Sequence, residues 1–241
     1  MSKNKKSGVI SRKWFLIPIG IILLNIIIGL AIYPSLPPKL PTHWDMMGNV
    51  DGYMNKSISA IFLMPLFQGF IGIVIYLSYF AISKAKHYIN PRDPEQSLKK
   101  NFIFRKVWST YFLVTLILVE LLFSITNMMT LGIIASMKLS NIFRFSITGI
   151  LVVWAIILWL ILGQGGDRLN LGDDKKSSKN YYIDDKHWKF KDWIYFNPED
   201  KAIFIEKRVG IGWTVNIGRP MGLILLVLPI IIVIMSLIIT N

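Results

Sequence analysis

Long apolar segments constrain the fold of this chain more than any other feature of its sequence. A helix needs about 20 mostly apolar residues to cross roughly 30 Å of hydrocarbon. Because lipid offers no hydrogen-bond partners, a spanning segment must satisfy its backbone internally, which favours helices. The sequence therefore predicts an all-α integral membrane protein with about five transmembrane helices, at residues 14–33, 58–83, 107–136, 143–163 and 220–240.

Lysine and arginine residues are distributed unevenly between the segments that join these spans. Residues 1–13, 84–106 and 164–219 together carry 23 of the 27 basic side chains. Positively charged loops stay in the cytoplasm, so we expect the N-terminus inside and the C-terminus outside a cell membrane. The loop at residues 34–57 is then also outside. The first span is longer than the apolar region of a signal peptide, so we interpret it as a retained anchor.

The composition of the joining segments predicts how the chain is organised. In residues 181–219, β-prone runs at 193–196 and 202–209 flank a turn that contains Pro198, which predicts a small cytoplasmic β-hairpin module. The predicted parts are a basic tail at 1–13, a four-helix membrane domain at 14–163 with the outer loop 34–57 and the cytoplasmic loop 84–106, a linker at 164–180, the hairpin module at 181–219 and the fifth helix at 220–241.

The charge and the amino-acid usage exclude several classes of function. The net charge of +13 is concentrated in loops that we expect beside anionic lipid, so we predict the lipid bilayer as a partner and no direct binding of nucleic acid. The chain has no cysteine, which excludes disulfides, thiol catalysis and cysteine-ligated metals. We predict no cofactor.

The outer loop is dense in residue types that recognition uses. We expect its ligand-binding side chains to be His43, Trp44, Asp45, Gly48, Asp51, Tyr53 and Lys56. The spacing of Pro41, His43-Trp44, Gly48, Asp51-Gly52-Tyr53 and Lys56 resembles the signature of a membrane domain found in bacterial immunity proteins against the sporulation-delaying peptide toxin. The segment from Asp184 to Asn216 resembles an uncharacterised C-terminal module that accompanies this domain.

The resemblance covers about residues 15–80. It implies a non-enzymatic membrane protein that recognises a membrane-active extracellular peptide at the outer loop. In that family the immunity protein also holds a repressor at the membrane, which implies a cytoplasmic regulator protein as a second partner.

The residues of the outer loop leave two other interpretations open. His43, Asp45 and Asp51 could hold a divalent ion, which would make the chain a metal-dependent membrane enzyme at the outer surface. Alternatively the loop is structural, because Gly48-Asn49 and Asp51-Gly52 are turn formers.

Polar residues inside the predicted spans form a second candidate site. Glu120 lies in the middle of the third span and Asn127 lies two turns further on the same face. A carboxyl group at that depth should face the bundle. Glu120 could relay protons or line a substrate path in a transport component. Alternatively it makes an interhelical hydrogen bond with Asn25 of the first span.

Overall fold

Four long helices make up most of the structure, a computed structural model that describes residues 8–45, 49–85, 89, 93–134, 137–163, 165–171, 185–190, 194–207 and 213–227. In chain order the helices are α1 (Leu16–Ile32), α2 (Ile58–Lys84), α3 (Pro94–Thr130) and α4 (Met137–Leu162). Short 3-10 turns at Arg12–Phe15 and Tyr33–Ser35 extend α1 at both ends.

The four helices are long and apolar enough to cross a membrane. Large apolar side chains such as Leu66, Phe145 and Ile150 are exposed on their surfaces, where lipid rather than water is the favourable neighbour. The predicted class, an α-helical integral membrane protein, is confirmed. A further helix begins at Pro220 and is described to residue 227. The remainder of the predicted fifth span lies outside the described residues.

Helix α3 differs from its predicted span. The sequence predicted a cytoplasmic loop at 84–106 and a span from residue 107, but one continuous helix runs from Pro94 to Thr130. Asp93 caps its start, because its carboxylate accepts a hydrogen bond from the main-chain N–H of Gln96 at 3.2 Å. The helix also ends earlier than predicted, at Thr130, so the link to α4 starts at residue 131 rather than at residue 137.

Most of each membrane helix lies in a compact unit of Met1–Ser83 and Phe102–Ile161. One core cluster joins Phe15, Tyr79, Leu113 and Leu116. A second cluster at the other end of the helices joins Leu36, Leu40, Ala60 and Leu131. Helices α1 and α2 approach each other closely between these two clusters. A Cβ on Gly29 would lie 2.5 Å from Cγ2 of Ile61.

The predicted outer loop is a β-hairpin that the sequence analysis missed. Strand β1 (Lys39–Trp44) pairs antiparallel with β2 (Val50–Asn55). We call residues 39–55 the α1–α2 hairpin.

A second compact unit consists of Lys84–Asn101 and Leu162–Asn241. Its described residues form four short strands: β3 (Trp188–Lys189), β4 (Ile194–Tyr195), β5 (Phe204–Glu206) and β6 (Trp213–Val215). Strand β3 pairs with β4, and β5 pairs with β6. The prediction that runs 193–196 and 202–209 pair with each other was therefore wrong.

A buried asparagine explains this arrangement. The Asn216 side chain donates to the main-chain carbonyls of Asn197, Asp200 and Ala202 at 2.8, 3.2 and 3.2 Å, and it accepts from the N–H groups of Asn197 and Gly218 at 3.0 Å each. The segment around Pro198 thus wraps the side-chain amide of Asn216, the residue after β6, instead of forming a tight hairpin turn.

Candidate functional site

The α1–α2 hairpin is closed by a side chain that the sequence offered as a ligand. The Asp45 carboxylate accepts from the main-chain N–H of Asn49 at 2.8 Å and from its side-chain amide at 3.0 Å. The Asp45 N–H donates to the Asn49 carbonyl at 2.9 Å. Asp45 therefore holds the turn together. Gly48 lies outside the described residues.

His43 sits at an irregular point of the strand pair. The register shifts on both sides of His43, which lies opposite Gly52. A Cβ on Gly52 would lie 2.8 Å from the His43 Cβ, closer than real side chains tolerate. Only glycine lets the two strands approach here, which accounts for Gly52 in the Asp-Gly-Tyr motif.

His43 and Asp51 form a pair at the surface of the hairpin. The His43 Nδ1 and Asp51 Oδ1 atoms lie 2.5 Å apart, and the two side chains are 72% and 47% exposed. Asp45 does not join them, because its oxygens bind Asn49. Among the described residues, no three His, Asp or Glu side chains are grouped as a metal ion would need. The three ligands suggested for a metal-dependent enzyme are thus not brought together.

Lys56 fixes the base of the hairpin to the end of α1. Its Nζ donates to the main-chain carbonyls of Pro34 at 3.1 Å and Leu36 at 2.9 Å, and it lies 4.9 Å from the centre of the Tyr33 ring. Leu40 is fully buried in the adjacent core cluster. Lys56 therefore has a structural role in this arrangement, although the sequence predicted it as a ligand-binding residue.

The hairpin presents one polar and aromatic face. Along β2, Asp51, Tyr53 and Asn55 are exposed and alternate with half-buried Gly52 and Met54, as expected for a strand with one face on the protein. Tyr53 is 60% exposed. Trp44 is half-buried and lies opposite Val50. Of the predicted ligand-binding residues that the structure describes, His43, Asp51 and Tyr53 are thus the three that are exposed.

A hydrogen-bond network joins α1, α2 and α3 inside the bundle. The Asn25 amide donates to Gln68 Oε1 at 3.2 Å and to Ser124 Oγ at 2.6 Å. The Gln68 amide donates to the Glu120 main-chain carbonyl at 3.0 Å, which also accepts from Ser124 Oγ at 2.8 Å. Sequence reasoning identified Asn25 but missed Gln68 and Ser124. A polar residue in the middle of an apolar span was the available signal for Gln68.

The Glu120 carboxyl group is not part of this network. Glu120 is 0% exposed, and neither carboxyl oxygen has a hydrogen-bond partner within the described part of the chain. The predicted hydrogen bond between Glu120 and Asn25 is replaced by the bonds of Asn25 to Gln68 and Ser124. Asn127 is also buried, at 1% exposed, and its amide nitrogen makes no hydrogen bond to a described residue.

Two family models match parts of the chain. A model described as a domain of unknown function (DUF1648) matches residues 20–69, and a model described as a family of unknown function (DUF5808) matches residues 198–223. The first match runs from α1 through the hairpin into α2, and the second contains β5, β6 and Asn216. No curated protein and no solved structure matches the chain.

These matches and the fold define a multi-pass α-helical membrane protein with regions similar to two domains of unknown function. The first match overlaps the segment that resembles the immunity-protein domain. Neither description names a function, so the resemblance stays a prediction.

Proposed function

We propose that the chain is a non-enzymatic protein of a bacterial cell membrane that recognises a membrane-active peptide at the α1–α2 hairpin. One observation carries the proposal. His43, Asp51 and Tyr53 are exposed together on a hairpin that Lys56, Leu40 and Asp45 hold in place. The structural residues of the motif thus preorganise a small recognition face, which lowers the entropy lost on binding.

The backbone of the hairpin also suits a peptide ligand. Within the described residues, no third strand joins β1 and β2. An extended peptide can add a strand at such an edge through main-chain hydrogen bonds. The Tyr53 ring would supply apolar contact, and the His43–Asp51 pair would supply polar contact.

The charge distribution supports a location of this face on the outer side of the membrane. The basic side chains are concentrated in residues 1–13, 84–106 and 164–219. With those segments inside, the N-terminus is cytoplasmic and the hairpin is outside, together with the C-terminus. A secreted peptide would then reach the hairpin first.

The basic segments would also serve a cytoplasmic partner. The resemblance implies a regulator protein held at the inner surface, and residues 84–106 and 164–219 would provide its docking region. This part of the proposal rests on the resemblance and on the predicted orientation. A metal-dependent enzyme is the weaker alternative, because His43 and Asp51 pair with each other while Asp45 closes the turn.

A survival assay tests the proposal. The chain is expressed in a sensitive bacterium, which is then exposed to secreted antimicrobial peptides. We expect protection by the wild-type chain and its loss in the double variant His43→Ala, Asp51→Ala. Membrane insertion is measured in parallel by fractionation, because only normally inserted protein is informative.

The matched control is the double variant Lys39→Ala, Asn55→Ala. These residues form the opposed pair at the other end of the same two strands, so the control changes the hairpin equally but leaves the His43–Asp51 pair intact. Protection that persists in the normally inserted His43→Ala, Asp51→Ala protein would refute recognition by this pair.

A further inference from the structure

An apolar cleft lies between α1 and α2 within the membrane helices. Its volume is about 460 Å³, within the roughly 300–1,000 Å³ typical of small-molecule sites. Leu16, Ile19 and Ile73 form part of its walls and are 65%, 50% and 61% exposed. The cleft therefore opens onto the apolar outer surface of the helices, where a lipid-soluble molecule can enter from the bilayer.

Two glycines on α2 create the space. A Cβ on Gly69 would meet no atom within 4 Å, and a Cβ on Gly72 would lie 3.6 Å from Glu120 Oε1. Both glycines line the cleft. A large side chain at position 69 would therefore occupy the cleft, whereas a side chain at position 72 would contact the Glu120 carboxyl group.

The walls of the cleft are mostly apolar, with Arg12 and Glu120 as the lining residues that carry charged groups. Glu120 lines it beside Gly72, and Tyr76 lines it one turn further along α2. Phe15 packs against Tyr76 with ring centres 5.1 Å apart. From Gly69 to Tyr76 the cleft follows α2 for two helical turns, about 10 Å.

The carboxyl group of Glu120 is buried without hydrogen-bond donors among the described residues. It is fully buried, and both oxygens are without a hydrogen-bond partner among the described residues. Gln68 and Ser124 bind the main-chain carbonyl of Glu120 instead. A buried carboxyl group in this state is costly, and a ligand that donates a hydrogen bond to it recovers that cost.

We propose that this cleft binds a lipid-soluble small molecule with an apolar body and a terminal hydrogen-bond donor, a hydroxyl or an amine, which donates to the Glu120 carboxyl group. The apolar walls favour the apolar body of the ligand, and the unpartnered oxygens of Glu120 favour its hydrogen-bond donor. This site is separate from the recognition proposed at the α1–α2 hairpin and does not depend on it.

Fluorine NMR with three matched probes tests the site in protein reconstituted into lipid nanodiscs. The probes are 4-(trifluoromethyl)benzylamine, 4-(trifluoromethyl)benzyl alcohol and 1-ethyl-4-(trifluoromethyl)benzene, which share the apolar body and differ in the donor. Empty nanodiscs give the partition into lipid. We expect the wild-type protein to bind at least one donor probe about tenfold or more tightly than the ethyl probe.

Three variants complete the experiment. Glu120→Leu should bind the donor probes and the ethyl probe about equally well. Gly69→Leu should abolish binding of all three probes. The control is Gly20→Leu, the same change at an exposed position of α1 where a Cβ also meets nothing within 4 Å. It should bind as the wild type does.

Several results would overturn the inference. They are equal binding of all three probes to the wild type, no binding of any probe, a donor preference that survives in Glu120→Leu, or unchanged binding in Gly69→Leu. If Gly69→Leu does not fold, the donor preference of the wild type and of Glu120→Leu still decides. His43→Ala with Asp51→Ala should leave probe binding unchanged, so failure at one site is distinguishable from failure at the other.

Discussion

Replacing Lys56 by methionine should loosen the α1–α2 hairpin without removing any group of its exposed face. The variant keeps an unbranched apolar side chain of similar length but loses the Nζ donor to the carbonyls of Pro34 and Leu36. It also loses the cation over the Tyr33 ring.

The magnitude follows from these contacts. A hydrogen bond from a charged group contributes about 1.5–3 kcal/mol, and a cation–π contact at an exposed site contributes about 0.5–1 kcal/mol. Lys56 is half-buried, so solvent replaces part of each contact. We expect a loss of about 2 kcal/mol in the free energy that holds the hairpin closed on the helices. A tenfold change corresponds to about 1.4 kcal/mol, so local opening should become roughly 30-fold more frequent.

Hydrogen exchange read by mass spectrometry measures this opening in nanodiscs. Amide groups of β1 and β2 should exchange roughly 30-fold faster in Lys56→Met, while those of α1 and α2 keep their rates. The matched control is Lys39→Met, the same chemical change at an exposed lysine of β1. Hairpin exchange that is equal in Lys56→Met and wild type would refute the structural role assigned to Lys56.

Two further predictions concern packing in each unit. Gly29→Val should destabilise the detergent-solubilised protein by about 1–3 kcal/mol, because its Cβ would overlap Ile61; a thermal midpoint no lower than that of Gly20→Val would contradict this. Asn216→Ala should destabilise the second unit by about 3 kcal/mol, because it removes a fully buried amide that makes five hydrogen bonds. Limited proteolysis at residues 197–202 should then accelerate, also in Asn216→Asp, which loses the three donor bonds, and unchanged cleavage in both would refute the role of Asn216.

The membrane helices could be predicted from sequence because local composition defines each of them. A run of about 20 apolar residues has few alternatives in lipid, and four of the five predicted spans correspond to described helices. The start of α3 was placed too late although Asp93, Pro94 and Glu95 form a recognisable helix N-terminus. The sequence analysis instead assigned these residues to the cytoplasmic loop 84–106.

The strand pairs could not be predicted in the same way, because pairing depends on contacts distant in sequence. Strand β1 is held by the burial of Leu40 against Ala60 and Leu131, which its own residues do not indicate. Strand β6 was not predicted. The asparagine that follows it, Asn216, bridges to Tyr195 of β4 and binds the Asn197 carbonyl, so β4 lies beside Asn216 and does not pair with β5.

The candidate site was predicted in part. The sequence indicated which residues of the hairpin matter but could not separate those that build it from those that it exposes. Lys56 and Asp45 carry the same kinds of groups as His43 and Asp51, and only the geometry assigns the first two to structure. Inside the bundle, a hydrogen bond between Asn25 and Glu120 was one of the interpretations left open, and the Gln68 amide that binds both residues was not considered.

The 3-10 turns at both ends of α1 extend the reach of this helix. The 17 α-helical residues cover about 25 Å at 1.5 Å per residue, less than the roughly 30 Å of a typical hydrocarbon layer. The seven residues of the two turns add about 14 Å at 2.0 Å per residue. With these turns included, the segment is long enough to cross that layer, which its α-helical residues alone are not. The carbonyl groups of Pro34 and Leu36, which α-helical bonds no longer satisfy at this end, accept the Lys56 hydrogen bonds that attach the hairpin, so the same turn that completes the span also anchors the strands.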